Sequence, residues 1–243
     1  MGSAMSLIEI LRVLYDSFLK FNPKKPNDIN RDRLILSKGH GCLALYAILA
    51  DKKFFDKKIL KTASKFDSIL GGHPEFGKVP GVEASTGALG HGPAIGVGMA
   101  IGAKIKKLKY KIFTIVGDGE INEGSFWESS MIASKHNLDN FHVIIDYNKI
   151  QSYGKTKEVL DLEPLKNKLE NFGYKVSEIN GHNIVQLFNY FKKIKNNKKK
   201  PTALICHTVK GKGFHFAEDN PFWHHKNFFT EKEVFAINKC LGK

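Results

Sequence analysis

Cysteine is scarce in this chain: three among 243 residues, at Cys42, Cys206 and Cys240, far apart. That spacing excludes a disulfide framework and a cysteine-based zinc site, and it fits a reducing compartment, the cytoplasm. Long apolar runs are also missing. Near the N-terminus Leu7, Ile8, Leu11 and Leu14 are interrupted by Glu9 and Arg12. The segment therefore reads as an amphipathic helix rather than the core of a signal peptide. No stretch approaches the ~20 apolar residues of a membrane span, so no membrane contact is expected. Acids are outnumbered, 24 against 38 bases, for a net charge of +14. The run KKIKNNKKK at 192–200 carries six of those charges. No aromatic platform or base-reading motif accompanies it, so it reads as a solvated helix end and loop, with no nucleic-acid partner. A net positive field also favours the approach of anionic small molecules.

What is present suits one globular α/β domain over residues 1–243, with 42% hydrophobic and 26% charged residues. The most informative stretch is 111–151. An apolar run at 112–116 predicts a buried strand that ends at Gly117-Asp118-Gly119. A helix is expected to follow, capped by Asn122 or Ser125 and running to about His136. A second apolar run at 141–145 ends in Asp146-Tyr147-Asn148. Asp118 and Asn148 are thus both placed just past the carboxyl ends of strands, where neighbouring parallel strands open a crevice. A carboxylate and an amide oxygen converging there suit a hard cation with oxygen ligands, and Mg²⁺ commonly bridges such ligands to phosphate.

Other elements follow in order. Helices are expected at 6–20, 42–50, 57–66, 94–106, 165–172, 184–194 and 230–241, the last opened by a Thr230–Glu233 capping box. Strands are expected at 174–179 and 201–208. Residues 152–161 read as a polar loop. Glycine-rich segments punctuate the chain: Ser37-Lys38-Gly39-His40-Gly41, Gly71-Gly72-His73-Pro74-Glu75, the loop from Gly81 to Gly92, and Val209-Lys210-Gly211-Lys212-Gly213.

The order strand–GDG–helix–strand–Asn resembles the thiamine-diphosphate motif in the form found in transketolases. Gly119-Glu120-Ile121-Asn122-Glu123-Gly124-Ser125-Phe126-Trp127-Glu128 fits the family pattern, as do SKGHG, GHPE, the loop from Gly81 to Gly92 that contains Gly87-Ala88-Leu89, KGKG and the pair Trp223-His224. The resemblance implies a thiamine-diphosphate-binding fold: a mostly parallel central sheet with helices on both faces. It implies metal ligation of Mg²⁺, or of Ca²⁺ or Mn²⁺ in its place, by Asp118, Asn148 and the backbone oxygen of Ile150. It implies cofactor contacts from Lys38, His40, Gly87, Leu89, Gly117, Gly119, Glu120, Lys210 and His224. His40, His73 and His224 inherit catalytic roles facing the substrate. Glu123 and Glu128 inherit places in a carboxylate network facing a paired subunit.

The implied activity is transfer of a two-carbon ketol unit from a ketose to an aldose, as sugars or sugar phosphates. The resemblance covers only the first of a transketolase's domains. The pyrimidine-binding and C-terminal domains are expected on a separate partner chain, in an α2β2 assembly. The family also places an upstream helix and a Gly-His pair ahead of the segment matching Gly2-Ser3-Ala4. Other readings of the same residues stay open: a non-catalytic protein that keeps the fold, a specialised sugar-biosynthesis transketolase, or a deoxyxylulose-phosphate-synthase-like or 2-oxo-acid-dehydrogenase-like subunit.

Overall fold

The structure is a computed structural model and describes residues 2–152, 154–195, 198–223, 226 and 229–242. The apolar runs of the sequence become a five-stranded, wholly parallel sheet. Its strands are β1 (Arg33–Leu36), β2 (Ile112–Gly117), β3 (Phe141–Tyr147), β6 (Lys175–Asn180) and β7 (Thr202–His207), in the order β1-β2-β3-β7-β6. β2 and β3 are buried along their whole length, which is why they read as continuous apolar runs rather than alternating ones. A small antiparallel pair, β4 (Ile150–Gln151) and β5 (Gly154–Lys155), forms at the start of the segment expected to be loop, with only β5 inside 152–161.

Helices cover both faces, as the sequence implied. On one face, α2 (Ile8–Val13), α3 (Cys42–Asp51) and α8 (Ile184–Ile194) pack on Phe113, Ile115, Ile144 and Leu204. On the other, α4 (His91–Ile105), α5 (Gly124–Lys135) and α7 (Leu165–Asn171) pack on Ile112, Val116, Val143, Ile145 and Ile205. The alternation along each strand assigns its side chains to the two cores. Short helices α1 (Gly2–Met5) and α6 (Thr156–Val159) and the closing helix α9 (Glu231–Cys240) complete the order. The capping box at Thr230 and Glu233 forms as expected.

Three expectations change. The first helix does not run regularly from residue 6 to 20: α2 ends at Val13 and a wide π-type turn spans Leu14–Phe18. The helix expected at 57–66 is a 3₁₀ segment, Lys57–Thr62, capped by Asp56. Neither Asn122 nor Ser125 caps α5. A 3₁₀ turn, Gly119–Asn122, comes first, and Glu123 takes the cap position without a side-chain bond to the helix.

Candidate functional site

Because β1, β2, β3 and β7 are parallel and adjacent, their carboxyl ends open at one edge of the sheet. Register brings Gly117 of β2 beside Asp146 of β3, and Asp146 beside Cys206 of β7. The loops after these strands therefore meet. Asp118, Asn148, Lys38 and Lys210 all line one cavity, of about 60 Å³, along with the backbone of Gly117, Gly119 and Ile150. His40, Leu89 and Glu120 line it too.

Asp118 is 3% exposed. Its carboxylate accepts from the backbone N–H of Gly119 at 2.8 Å and of Lys149. Burial first, and the neighbouring Asp146 second, push its pKa up to about 6. Asn148 Oδ1 accepts from the Ile150 N–H at 3.1 Å. Lys210 is also buried; its pKa is pulled down to about 7, by burial first and by the charge of Lys38 second. Lys38 pairs with Asp146. Burial alone would raise the Asp146 pKa, but Lys38 and the donors around it outweigh that and hold it below the usual carboxylate range.

Glu120 is expected to touch cofactor. It lines the cavity, and its carboxylate is engaged by the chain itself: by Ser37 Oγ, by Gly90 N–H at 2.9 Å and by Gly117 N–H at 3.1 Å. One side chain thus ties three loops together, and burial raises its pKa.

The glycine loops close around this centre. A β-carbon at Gly39 would stand 2.8 Å from the Thr86 carbonyl, so the His40 loop lies directly on the Thr86-Gly87 peptide. Gly87 itself has φ +140°, and a β-carbon there would meet the His73 ring at 2.8 Å. His73 and Gly87 are therefore brought together beside His40. Glu123 and Glu128 are exposed, outside the cavity, on a stretch of α5 that also exposes Met131 and Ile132. His224 lies outside the described residues.

Sequence reasoning assigned no role to Ser6, Ser37, Asp146 or Thr208; the fold gathers Ser6 and Thr208, with Lys38 and Asn148, around Asp146 and sets Ser37 against Glu120. The one local signal was the spacing of Asp146 and Asn148, two apart at a strand end and hence on one side of the sheet.

The residues fit Mg²⁺ with a diphosphate. One carboxylate, one amide oxygen and one backbone carbonyl form an all-oxygen set, the type that magnesium completes with phosphate oxygens and water. The Ile150 carbonyl already accepts from a cation, the Lys210 ammonium, at 2.7 Å. Among the described residues no group of three or more His, Cys, Asp and Glu is placed to hold a metal. No helix among them is long and apolar enough to cross a membrane.

Comparison with known proteins identifies the family. Residues 1–243 match the family model described as transketolase, thiamine diphosphate binding domain. The chain is 43% identical over 224 residues to an apulose-4-phosphate transketolase subunit of Phocaeicola vulgatus, covering 92% of this chain and 79% of that one. It is 38% identical over 236 residues to a 6-deoxy-6-sulfo-D-fructose transketolase subunit of Clostridium sp., covering 97% and 86%. The crystal structure of the transketolase from Campylobacter jejuni superposes with a TM-score of 0.88 at 32% identity, covering 99% of this chain but only 41% of that one. A parallel sheet with an oxygen-donor pocket at its carboxyl edge, matched over its whole length, belongs to the transketolase family as its thiamine diphosphate binding domain.

Proposed function

We propose that this chain is the coenzyme-binding subunit of a split transketolase. It transfers a two-carbon ketol unit from a ketose to an aldose only when joined to a second chain that supplies the pyrimidine-binding and C-terminal domains. An α2β2 assembly in the cytoplasm is the expected form. Asp118, Asn148 and the Ile150 carbonyl hold Mg²⁺. Lys38 and Lys210 offset the charge of the diphosphate. When bound, thiamine diphosphate supplies the carbanion chemistry that breaks and remakes the carbon–carbon bond. His40 and His73, with His224, orient substrate hydroxyls and move their protons, an effect typically worth ~10²–10⁴ in rate. Glu123 and Glu128 sit on an exposed part of α5 suited to contact a paired subunit. The two relatives named above are called after different anionic ketoses, which supports an anionic ketose as donor.

The observation that carries this reading is the convergence of three oxygen donors and two buried lysines at the carboxyl ends of four parallel strands. The test is reconstitution. The chain alone is expected to show no ketol transfer between a ketose phosphate and an aldose. Adding the polypeptide that carries the remaining domains should restore it. Robust turnover by the chain alone overturns the split-enzyme reading.

A further inference from the structure

Asp146 is fully buried, yet it lies behind the cavity lining rather than in it. Four side chains from four separate segments converge on its carboxylate. Ser6 Oγ donates at 2.7 Å from the turn before α2. Lys38 Nζ donates from the loop after β1. Thr208 Oγ1 donates from the end of β7. Asn148 Nδ2 donates at 3.3 Å from just past β3.

The last bond decides something. A primary amide has two ends of similar shape and opposite hydrogen-bonding character. An ionised carboxylate only accepts, so it takes the NH₂ end. The Ile150 N–H only donates, so it takes the carbonyl end, at 3.1 Å. Both neighbours select the same orientation of the Asn148 side chain. In that orientation its oxygen, with a second lone pair to spare, belongs to the donor set with Asp118 and the Ile150 carbonyl. The opposite orientation would set the amide oxygen against the carboxylate and an NH₂ group against a backbone N–H.

The geometry points to Asp146 as a positioning residue. It fixes which end of Asn148 faces the cation. This rests on the coenzyme-binding reading above and assigns a role to a residue that touches neither metal nor substrate. Outer partners of this kind typically change metal affinity by ~10–100-fold when altered.

The test measures binding rather than turnover. Mn²⁺ is titrated by electron paramagnetic resonance into the chain assembled with its partner, with thiamine diphosphate present. Asp146→Asn keeps the shape but brings a donor of its own, so it no longer dictates the amide orientation. Its Mn²⁺ affinity should fall by ~10–100-fold. Asn148→Ala should fall comparably, and Asp146→Asn/Asn148→Ala no further than Asn148→Ala alone, because the second change acts through a group already lost. Losses that multiply would mean that Asp146 acts independently of Asn148, and would overturn the assignment. Ser6→Ala removes another partner of the same carboxylate without touching the amide and should leave affinity near that of the unaltered protein.

Where Asp146→Asn alone does not fold, the exchange Asp146→Asn/Asn148→Asp keeps the charge count and restores a donor–acceptor pair of reversed polarity. Affinity near that of the unaltered protein supports the assignment. A loss as large as that of Asn148→Ala overturns it. Failure of the unaltered protein to bind Mn²⁺ with thiamine diphosphate instead overturns the function proposed above. Normal binding by both the unaltered protein and Asp146→Asn removes only the role of Asp146.

Discussion

His142 shows how much a single buried polar residue decides away from the site. It is 1% exposed, with its ring stacked on Phe113 and its Nδ1 2.8 Å from Thr202 Oγ1. Burial first, and the charge of Lys111 second, push its pKa from 6.5 down to about 3. The folded value lies below the unfolded one, so the unfolded chain takes up the proton first as pH falls. Stability from the neutral ring is complete above the unfolded value and is lost progressively as pH drops from 6.5 towards 3. Each pH unit of that window can cost up to ~1.4 kcal/mol. His142→Leu should therefore flatten the acid slope of stability. It should lose ~1 kcal/mol near neutrality through the broken Thr202 bond, and that deficit should shrink or reverse in acid. Urea melts across the window check this, and parallel pH profiles for the two proteins would refute it.

At the scale of elements, α4 lies on the sheet through small residues. A β-carbon at Gly96 would come 2.6 Å from Thr114 Oγ1 and 2.7 Å from the Phe141 ring, whereas one at Gly98 would meet nothing within 4 Å. The same substitution should thus have opposite signs two residues apart. Gly98→Ala should stabilise the chain by up to ~1 kcal/mol through helix propensity. Gly96→Ala should destabilise it by ~1–3 kcal/mol, because the buried Thr114 side chain and the Phe141 ring must give way. Thermal melts of the chain by itself distinguish the two.

The fully buried strands β2 and β3 were legible because a strand covered on both faces has to be apolar throughout. The α9 capping box was legible because all its bonds are local. The irregular turn after Val13 was not, since the apolar spacing around Leu11 and Leu14 is equally compatible with a regular helix. The β4–β5 pair escaped because two-residue strands leave no periodicity. Around the site, Asp118 and Asn148 were readable from their places at strand ends. The carboxylates of Glu120 and Asp146 were not, because their partners stand up to 140 residues away in the chain.

For the molecule as a whole, part of the basic excess behind the net charge of +14 has a location. The helices α4, α5, α7 and α8 all carry lysine in their last turn: Lys104, Lys135, Lys168, and Lys192 with Lys193. Those turns feed the amino ends of strands, at the pole opposite the cavity. Cations there complement the partial negative charge of helix carboxyl ends, so part of the basic excess already has a structural use. β7, which separates 198–200 from the cavity, is six residues long and spans ~20 Å. That is more than twice the ~8 Å screening length at physiological salt. Lys198→Gln/Lys199→Gln/Lys200→Gln should accordingly leave kcat/KM of the reconstituted enzyme and its salt dependence essentially unchanged. A clear drop at physiological salt would show that this pole does reach the substrate.

Asp146 takes one hydrogen bond from 140 residues upstream and another from 62 residues downstream. During synthesis, a ribosome must therefore have released Thr208 before the pocket can be braced from both sides. Fragments that stop short of this point lack one of the four side chains that brace Asp146, however well their earlier strands have formed.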